Sequence, residues 1–221
     1  MTNSTMTLAE LVTAEPGSAR VLHRHGLDFC CGGRRSLEEA CRARGIDPGV
    51  VLEELTARES VPEEVHVEQL SQPALIDFIL TRYHEPLRPE LARLVALAEK
   101  VERVHAAKPA CPRGLAAHLH ETREAIEDHL AKEEQILFPL IHAGRGRYAH
   151  MPIRVMIQEH DDHGENLRAI RSLTGNLTVP AEACNSWRLL YQGLEGLELE
   201  LMQHIHIENN ILFPRALAET N

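Results

Sequence analysis

Two pairs of one histidine and one glutamate, each spaced four residues apart, are the strongest chemical signal in the sequence. His129 and Glu133 form the first pair, and His204 and Glu208 form the second. Residues four apart lie one turn apart on the same helix face, so each pair directs an imidazole and a carboxylate the same way. Apolar Ile-Leu-Phe follows each pair, which indicates that this face is buried. A buried carboxylate is costly unless a positive charge compensates it, and a metal ion supplies that charge.

A single pair at this spacing is more often an ion pair in solvent than a metal site. Here the surroundings are duplicated, because residues 129–139 read HLAKEEQILFP and residues 204–214 read HIHIENNILFP. Helical bundles that hold two metals use inward-facing carboxylates and histidines from all four helices. The repeat therefore predicts a dinuclear metal site rather than two unrelated ion pairs.

The elements that must position these residues are four long helices. Apolar residues recur with a helical period from residue 73 onward, and no segment has the alternation of a strand. We predict helices over about 73–107 (with a kink at Pro86 and Pro89), 113–142, 152–173 and 181–213. Short connections between long helices predict an all-α fold, an antiparallel four-helix bundle built as a duplicated helical hairpin.

The other two helices offer one histidine each, His84 and His160. At a rise of about 1.5 Å per residue, all four helices bring their candidate ligands to roughly one level. His105 lies 21 residues after His84, about 30 Å along a straight helix, so we exclude it from the ligands. With Glu133 and Glu208 bridging, two histidines per metal and an oxo or hydroxo bridge, each metal has five ligands. Imidazole and carboxylate donors without thiolate suit iron, and the open position suits dioxygen or nitric oxide.

The remaining histidines have weaker signals. His163 is expected beside the site or at the surface, and Glu159 is a candidate carboxylate at its entrance or behind a ligand. We expect the others to face solvent: His23, His25, His66, His118, His120, His142, His150 and His206.

Residues 1–58 are predicted to form a small helical domain, 59–72 a linker, and 73–221 the bundle. Within the first domain, Ser36 to Glu39 has the pattern of a helix capping box. Cys30 and Cys31 precede two glycines, and strain disfavours a disulfide between adjacent cysteines. They are either incidental thiols in a small-residue turn or a thiol site that exchanges with partners, is nitrosylated or holds a metal transiently. Two following arginines, Arg34 and Arg35, are expected to lower the thiol pKa.

Composition excludes several function classes. The net charge of −10 argues against binding to nucleic acid or to an anionic membrane surface. No apolar run approaches the roughly 20 residues needed to span a bilayer, and the first residues lack the pattern of a secretory signal. Five irregularly spaced cysteines do not suggest a disulfide framework, so a reducing cytoplasm is the expected location.

Six motifs together resemble the repair-of-iron-centres (RIC) family of bacterial di-iron proteins, over the whole chain. The family joins an N-terminal cysteine-bearing domain to a hemerythrin-like domain. The motifs are Gly26–Gly33, Arg82–His84, Lys100–His105, Lys132–Pro139, Glu159–Asp161 and Glu208–Ala216. The resemblance implies a non-haem site of two iron ions held by His84, His129, Glu133, His160, His204 and Glu208. His105 also falls within a family motif, which implies a role in function, although its distance along the helix from His84 argues against metal ligation.

The resemblance also implies action in nitrosative or oxidative stress, with nitric oxide, dioxygen and damaged iron–sulfur proteins as partners. Three functions stay open on the sequence. The first is an enzyme that reduces nitric oxide to nitrous oxide. The second is repair, in which iron is delivered to damaged clusters. The third is a module that binds or senses nitric oxide or dioxygen without turnover.

Overall fold

The computed structural model describes residues 3–57 and 65–218, and within these ranges the regular structure is helical. The described residues include no strand, only a single antiparallel bridge between Thr7 and Ser36. The all-α prediction is confirmed. Residues 59–64 of the predicted linker lie outside the described residues, and residues 67–69 form a short 3₁₀ turn.

Eleven α-helices are present in the described part of the chain, and the bundle helices are longer than their neighbours. The bounds are α1 Leu8–Ala14, α2 Ser18–Arg24, α3 Leu37–Arg44, α4 Pro48–Ala57, α5 Gln72–Ile79, α6 Glu85–His105, α7 Leu115–Lys132, α8 Phe138–His142, α9 His150–Leu173, α10 Asn185–Ile207 and α11 Phe213–Leu217.

Local sequence explains the helical N-terminal region. Thr7 and Ser36 each cap a helix with a reciprocal capping box, so the box predicted at Ser36 is confirmed. Gly45 ends α3 in the left-handed conformation (φ 68°), which glycine adopts without steric cost. Pro48 begins α4, where its missing N–H is not needed. Helix α2 packs against α10, so this region lies directly on the bundle.

Three wide π-helical turns interrupt the bundle, at Leu80–His84, Glu133–Leu137 and Glu208–Leu212. Two of them begin at a candidate ligand, and the first ends at one. A proline stands two residues past each turn, at Pro86, Pro139 and Pro214. Proline has no N–H to donate and its ring crowds the carbonyl four residues back, which favours a widened turn before it. The kink expected near Pro86 is therefore a π turn, and helices α5 and α6 run on through it.

The bundle pairs its helices side by side, with α6 against α7 and α10, and α7 against α9. Its apolar core consists of two clusters. One contains Leu87, Leu130 and Ile205, and the other contains Leu137 and Phe213. The candidate ligands lie between the two clusters along each helix. A buried polar layer therefore crosses the core.

No helix in the described ranges combines the length and the apolar character that a membrane span requires.

We predict that Gly146→Ala lowers the free energy of unfolding by about 1–3 kcal/mol, because an added Cβ would lie 2.7 Å from the Ala216 carbonyl oxygen. Gly196→Ala on α10 is the control. Its Cβ would meet nothing within 4 Å, so stability should rise by about 1 kcal/mol from helix propensity. Urea unfolding measures both, and an unchanged midpoint for Gly146→Ala would contradict the close approach.

Candidate metal centre

The structure brings the six sequence-predicted ligands together as two overlapping clusters. One contains His84 and His204, the other contains His129 and His160, and both include Glu133 and Glu208. Within each cluster, the candidate ligand atoms all lie within 4.8 Å of one another. The two glutamates and His160 have no exposed surface, and the other three histidines are at most 3% exposed.

The two oxygens of Glu208 face different histidine pairs. Oε1 lies 3.0 Å from Nε2 of His204, and Oε2 lies 3.2 Å from Nε2 of His160. Glu133 also stands between the pairs, because its Oε2 lies 3.5 Å from Nε2 of His84 and 3.4 Å from Nε2 of His129. Each histidine pair marks one candidate metal position, and each carboxylate lies close enough to both pairs to be a ligand at both positions.

Three of the four histidines are oriented by a polar side chain on their other nitrogen. A carboxylate or amide oxygen accepts from Nδ1 in each case, which leaves Nε2 as the nitrogen with the lone pair. The bonds join His84 to Glu134 at 2.9 Å, His129 to Glu159 at 2.9 Å and His160 to Asn209 at 2.8 Å.

In the pair of His129 and His160 these tautomers direct two lone pairs toward each other, whereas in the other pair the tautomer is fixed for His84 alone. Nε2 of His129 and Nε2 of His160 are 3.2 Å apart, and Nε2 of His84 is 3.1 Å from Nε2 of His204. Two imidazole lone pairs at this separation repel unless a proton or a cation lies at the focus. Neither oxygen of Glu133 has a hydrogen-bond partner among the described residues, although both are fully buried. The donor set therefore fits a pair of cations.

Burial sets the charge state of these groups in the protein without metal. Burial, reinforced by His204, lowers the pKa of His84 to about 4, and burial, reinforced by His160, lowers the pKa of His129 to about 2. Burial and the neighbouring Glu208 carboxyl raise the pKa of Glu133 well above its ordinary value. These two histidines are thus neutral at pH 7, as metal ligands must be.

The candidate carboxylate Glu159 lies behind a ligand, at Nδ1 of His129, and it also accepts from Lys132 at 2.5 Å. Glu134 and Asn209 were not identified from the sequence. A signal for them existed, because each directly follows a shared glutamate in the internal repeat. In both copies this position reaches a histidine on a neighbouring helix.

His105 lies outside both clusters. Its ring packs against Trp187 with centroids 4.9 Å apart, and its Nδ1 donates to the Val101 carbonyl at 3.0 Å. His163 is buried beside the site, 4.9 Å from the His129 ring between centroids. Neither of its ring nitrogens has a hydrogen-bond partner among the described residues.

Two histidines expected to face solvent are buried, so those expectations are wrong. His206 bonds to the hydroxyl of Thr13 and the carbonyl of Phe29, both at 3.3 Å. His23 bonds to Glu198 at 3.0 Å. The reason is shared, because the N-terminal region packs on α10 and covers a face that a bundle alone would expose. His66, His120, His142 and His150 are exposed as expected, whereas His25 and His118 are partly buried.

The five cysteines are free thiols, and the adjacent pair lies over the metal centre. Cys30 is buried, and its thiol donates to Oδ1 of Asp28 at 3.2 Å. Sγ of Cys31 lies 3.7 Å from the carbonyl oxygen of His160. Asp28, Cys30 and Cys31 offer three potential ligand atoms within 4.8 Å of one another.

The expected lowering of the thiol pKa by Arg34 and Arg35 is wrong for Cys30. The hydrogen bond with Cys31, together with burial and the Asp28 charge, raises the pKa of Cys30 well above its ordinary value. Both arginines are exposed, where solvent weakens their field. Cys30 therefore holds its proton at neutral pH.

Adjacent asparagines connect the thiol loop to the metal centre. Asn209 accepts from the His160 ring, while the amide of Asn210 donates to the Cys30 carbonyl at 3.2 Å. Both asparagines belong to the π turn that begins at Glu208. One widened turn thus holds a shared carboxylate, orients a histidine and anchors the thiol loop.

Two family models match successive parts of the chain. The model of the hemerythrin HHE cation binding domain matches residues 75–216, and the model of a domain of unknown function, DUF542, matches residues 4–59. A protein of Yersinia pseudotuberculosis serotype IB (strain PB1/+), named iron-sulfur cluster repair protein YtfE, is 47% identical over 212 residues. The match covers 95% of this chain and 96% of that protein. A protein of the same name from Yersinia pestis (strain Pestoides F) matches with the same identity and coverage.

We predict that Glu133→Ala or Glu208→Ala markedly reduces the iron bound per chain, to half or less, because each carboxylate faces both histidine pairs. His105→Ala is the control and should keep the full metal content, since His105 lies outside both clusters. Iron and protein are quantified after anaerobic loading and desalting. Full occupancy in either glutamate variant would contradict the shared-ligand assignment.

Proposed function

The chain belongs to the repair-of-iron-centres family, with a hemerythrin HHE cation-binding domain after a DUF542 domain, and on this basis we propose that it carries two iron ions and supports the repair of damaged iron–sulfur clusters. Its ligands would be His84, His129, Glu133, His160, His204 and Glu208, with both carboxylates bridging and an oxo or hydroxo group between the ions. The relatives named as iron-sulfur cluster repair proteins support the repair role. Action in nitrosative or oxidative stress belongs to the same proposal.

The observation that carries the proposal is the sharing of two fully buried carboxylates by two histidine pairs. Ferrous iron bound there would supply releasable metal and an open coordination position for a small ligand. The chain's own contribution is to keep the donor nitrogens neutral and oriented. Burial lowers the pKa of His84 and of His129, and outer carboxylates fix both rings.

The thiol loop is the part of the chain placed to meet a damaged cluster. Cys31 is partly exposed and Cys30 is buried, and both line a cavity of about 410 Å³. The cavity walls include Arg44 and Arg168. We assign Cys31 as the thiol that contacts the partner and exchanges with it. Cys30 is its protonated neighbour, and it would hold metal transiently together with Asp28 only after losing its proton to solvent.

We predict that Cys30→Ser/Cys31→Ser keeps two bound irons but slows reactivation of an iron–sulfur enzyme inactivated by nitric oxide. The thiols lie outside the six ligands, so loading should be unaffected. Recovery of the enzyme's activity is followed anaerobically with stoichiometric loaded protein. Cys184→Ser, which changes an exposed cysteine, is the matched control. Normal reactivation by the double variant would remove the delivery role of the thiols.

Binding or reduction of nitric oxide is the second candidate, and an apolar cavity favours it. The cavity measures about 260 Å³, reaches His204 and is lined by Tyr83, Leu87, Leu197 and Leu201 among others. A small neutral molecule crosses such a lining without losing hydrogen bonds, whereas an ion does not. Coupling two nitric oxide molecules to nitrous oxide and water consumes two electrons and two protons.

We predict that Gly196→Leu slows the uptake of nitric oxide several-fold without changing iron content, because Gly196 lines this cavity and has open space beside it. Gly164→Leu on α9 is the control, since it lies outside this cavity. Stopped-flow mixing of the loaded protein with nitric oxide measures uptake. Nitrous oxide formed repeatedly with an added reductant would indicate an enzyme, and uptake without that product a binding module. An unchanged rate in Gly196→Leu would remove this entry route.

A further inference from the structure

The two metal positions differ in how firmly their histidines are held. At the position of His129 and His160, both rings donate Nδ1–H to a side-chain oxygen, from Glu159 and Asn209 respectively. At the other position only His84 has such a partner, Glu134. Among the described residues, Nδ1 of His204 has no hydrogen-bond partner although it is buried.

What His204 has instead is a stacked aromatic ring. The Tyr83 ring lies parallel to it, with centroids 5.4 Å apart and an angle of 9° between planes. Stacking restrains the plane of the imidazole, but it supplies no acceptor for the Nδ1 proton and no negative charge. An acceptor at Nδ1 raises the basicity of the ligating nitrogen, and losing such a partner typically lowers metal affinity about 10- to 100-fold.

The outer partners are themselves anchored. Two guanidinium contacts from Arg88, at 2.9 and 3.0 Å, hold Glu134, and Lys132 holds Glu159. The carboxylate-supported histidines are therefore comparable, one at each position. The two positions therefore differ in their second histidine. Nδ1 of His160 has an amide oxygen as its partner, whereas Nδ1 of His204 has none among the described residues. Glu133 and Glu208 are common to both positions and do not separate them.

We propose that the two metal positions are unequal, and that the metal held by His84 and His204 is released first while the metal held by His129 and His160 is retained. This inference rests on the proposed two-iron centre and specifies which iron the repair function delivers. Glu134, Glu159 and Asn209 act on the metal through the histidines that they orient, so they are positioning residues.

The test is the release of iron from the full chain. The protein is loaded anaerobically with two equivalents of ferrous iron, desalted, and mixed with a chromophoric ferrous chelator. We expect two phases of equal amplitude, with one iron leaving about 10-fold or more faster than the other.

Variants identify the position behind each phase. Glu134→Ala should accelerate only the fast phase, and Glu134→Gln, which keeps an acceptor oxygen, should have a smaller effect. Glu159→Ala and Asn209→Ala should each accelerate only the slow phase. Glu127→Ala, at a partly exposed position on α7 paired with Arg123, is the matched control and should change neither phase. Thermal unfolding of the metal-free variants separates positioning from a general loss of structure.

The possible results distinguish failure of this inference from failure of the proposed two-iron centre. Loading of fewer than two irons by the unmodified chain would overturn both. Two irons that leave at one rate, or a fast phase that responds to Glu159→Ala or Asn209→Ala and not to Glu134→Ala, would overturn only the order of release.

Discussion

The structure depends on one electrostatic constraint, which is the burial of two carboxylates among four imidazoles at the centre of a helical bundle. Glu133 and Glu208 have no exposed surface, and His84, His129 and His160 direct a lone pair rather than a proton toward them, because each Nδ1 has an acceptor. Such a layer is costly in a protein interior unless cations occupy it. The surrounding features orient or cover these residues. Outer acceptors orient the histidines, widened turns hold the glutamates, and the N-terminal region covers one side.

The fold and the six candidate ligands were accessible from the sequence because helical spacing determines direction. Residues four apart share a helix face, and the rise per residue sets the height of each ligand along its helix. Counting residues along each helix axis was therefore sufficient. Asn209 and Glu134 were missed because their partners are on other helices, and contact across helices depends on rotation about each axis. His206 and Cys30 were misjudged for a related reason. Both residues are buried where the N-terminal region packs on the bundle around α10. The hydrophobic pattern within either segment does not predict this packing.

The internal repeat has a structural meaning beyond the ligands. In both copies the glutamate opens a π turn, the next residue reaches a histidine on a neighbouring helix, and a proline ends the irregularity. The second copy has asparagines where the first has Glu134 and Gln135. Both copies therefore share the same backbone arrangement, although the residue that orients a histidine is a carboxylate in one copy and an amide in the other.

The polar layer divides the apolar core into two clusters, and this division bears on how the molecule unfolds. Apolar contacts do not continue from one cluster to the other, because the polar layer separates them, although the bundle helices run through that layer. Ions held by residues of all four helices would connect the two clusters. We expect amide hydrogens at the two ends of the bundle to exchange as one cooperative unit with metal present and as two without it.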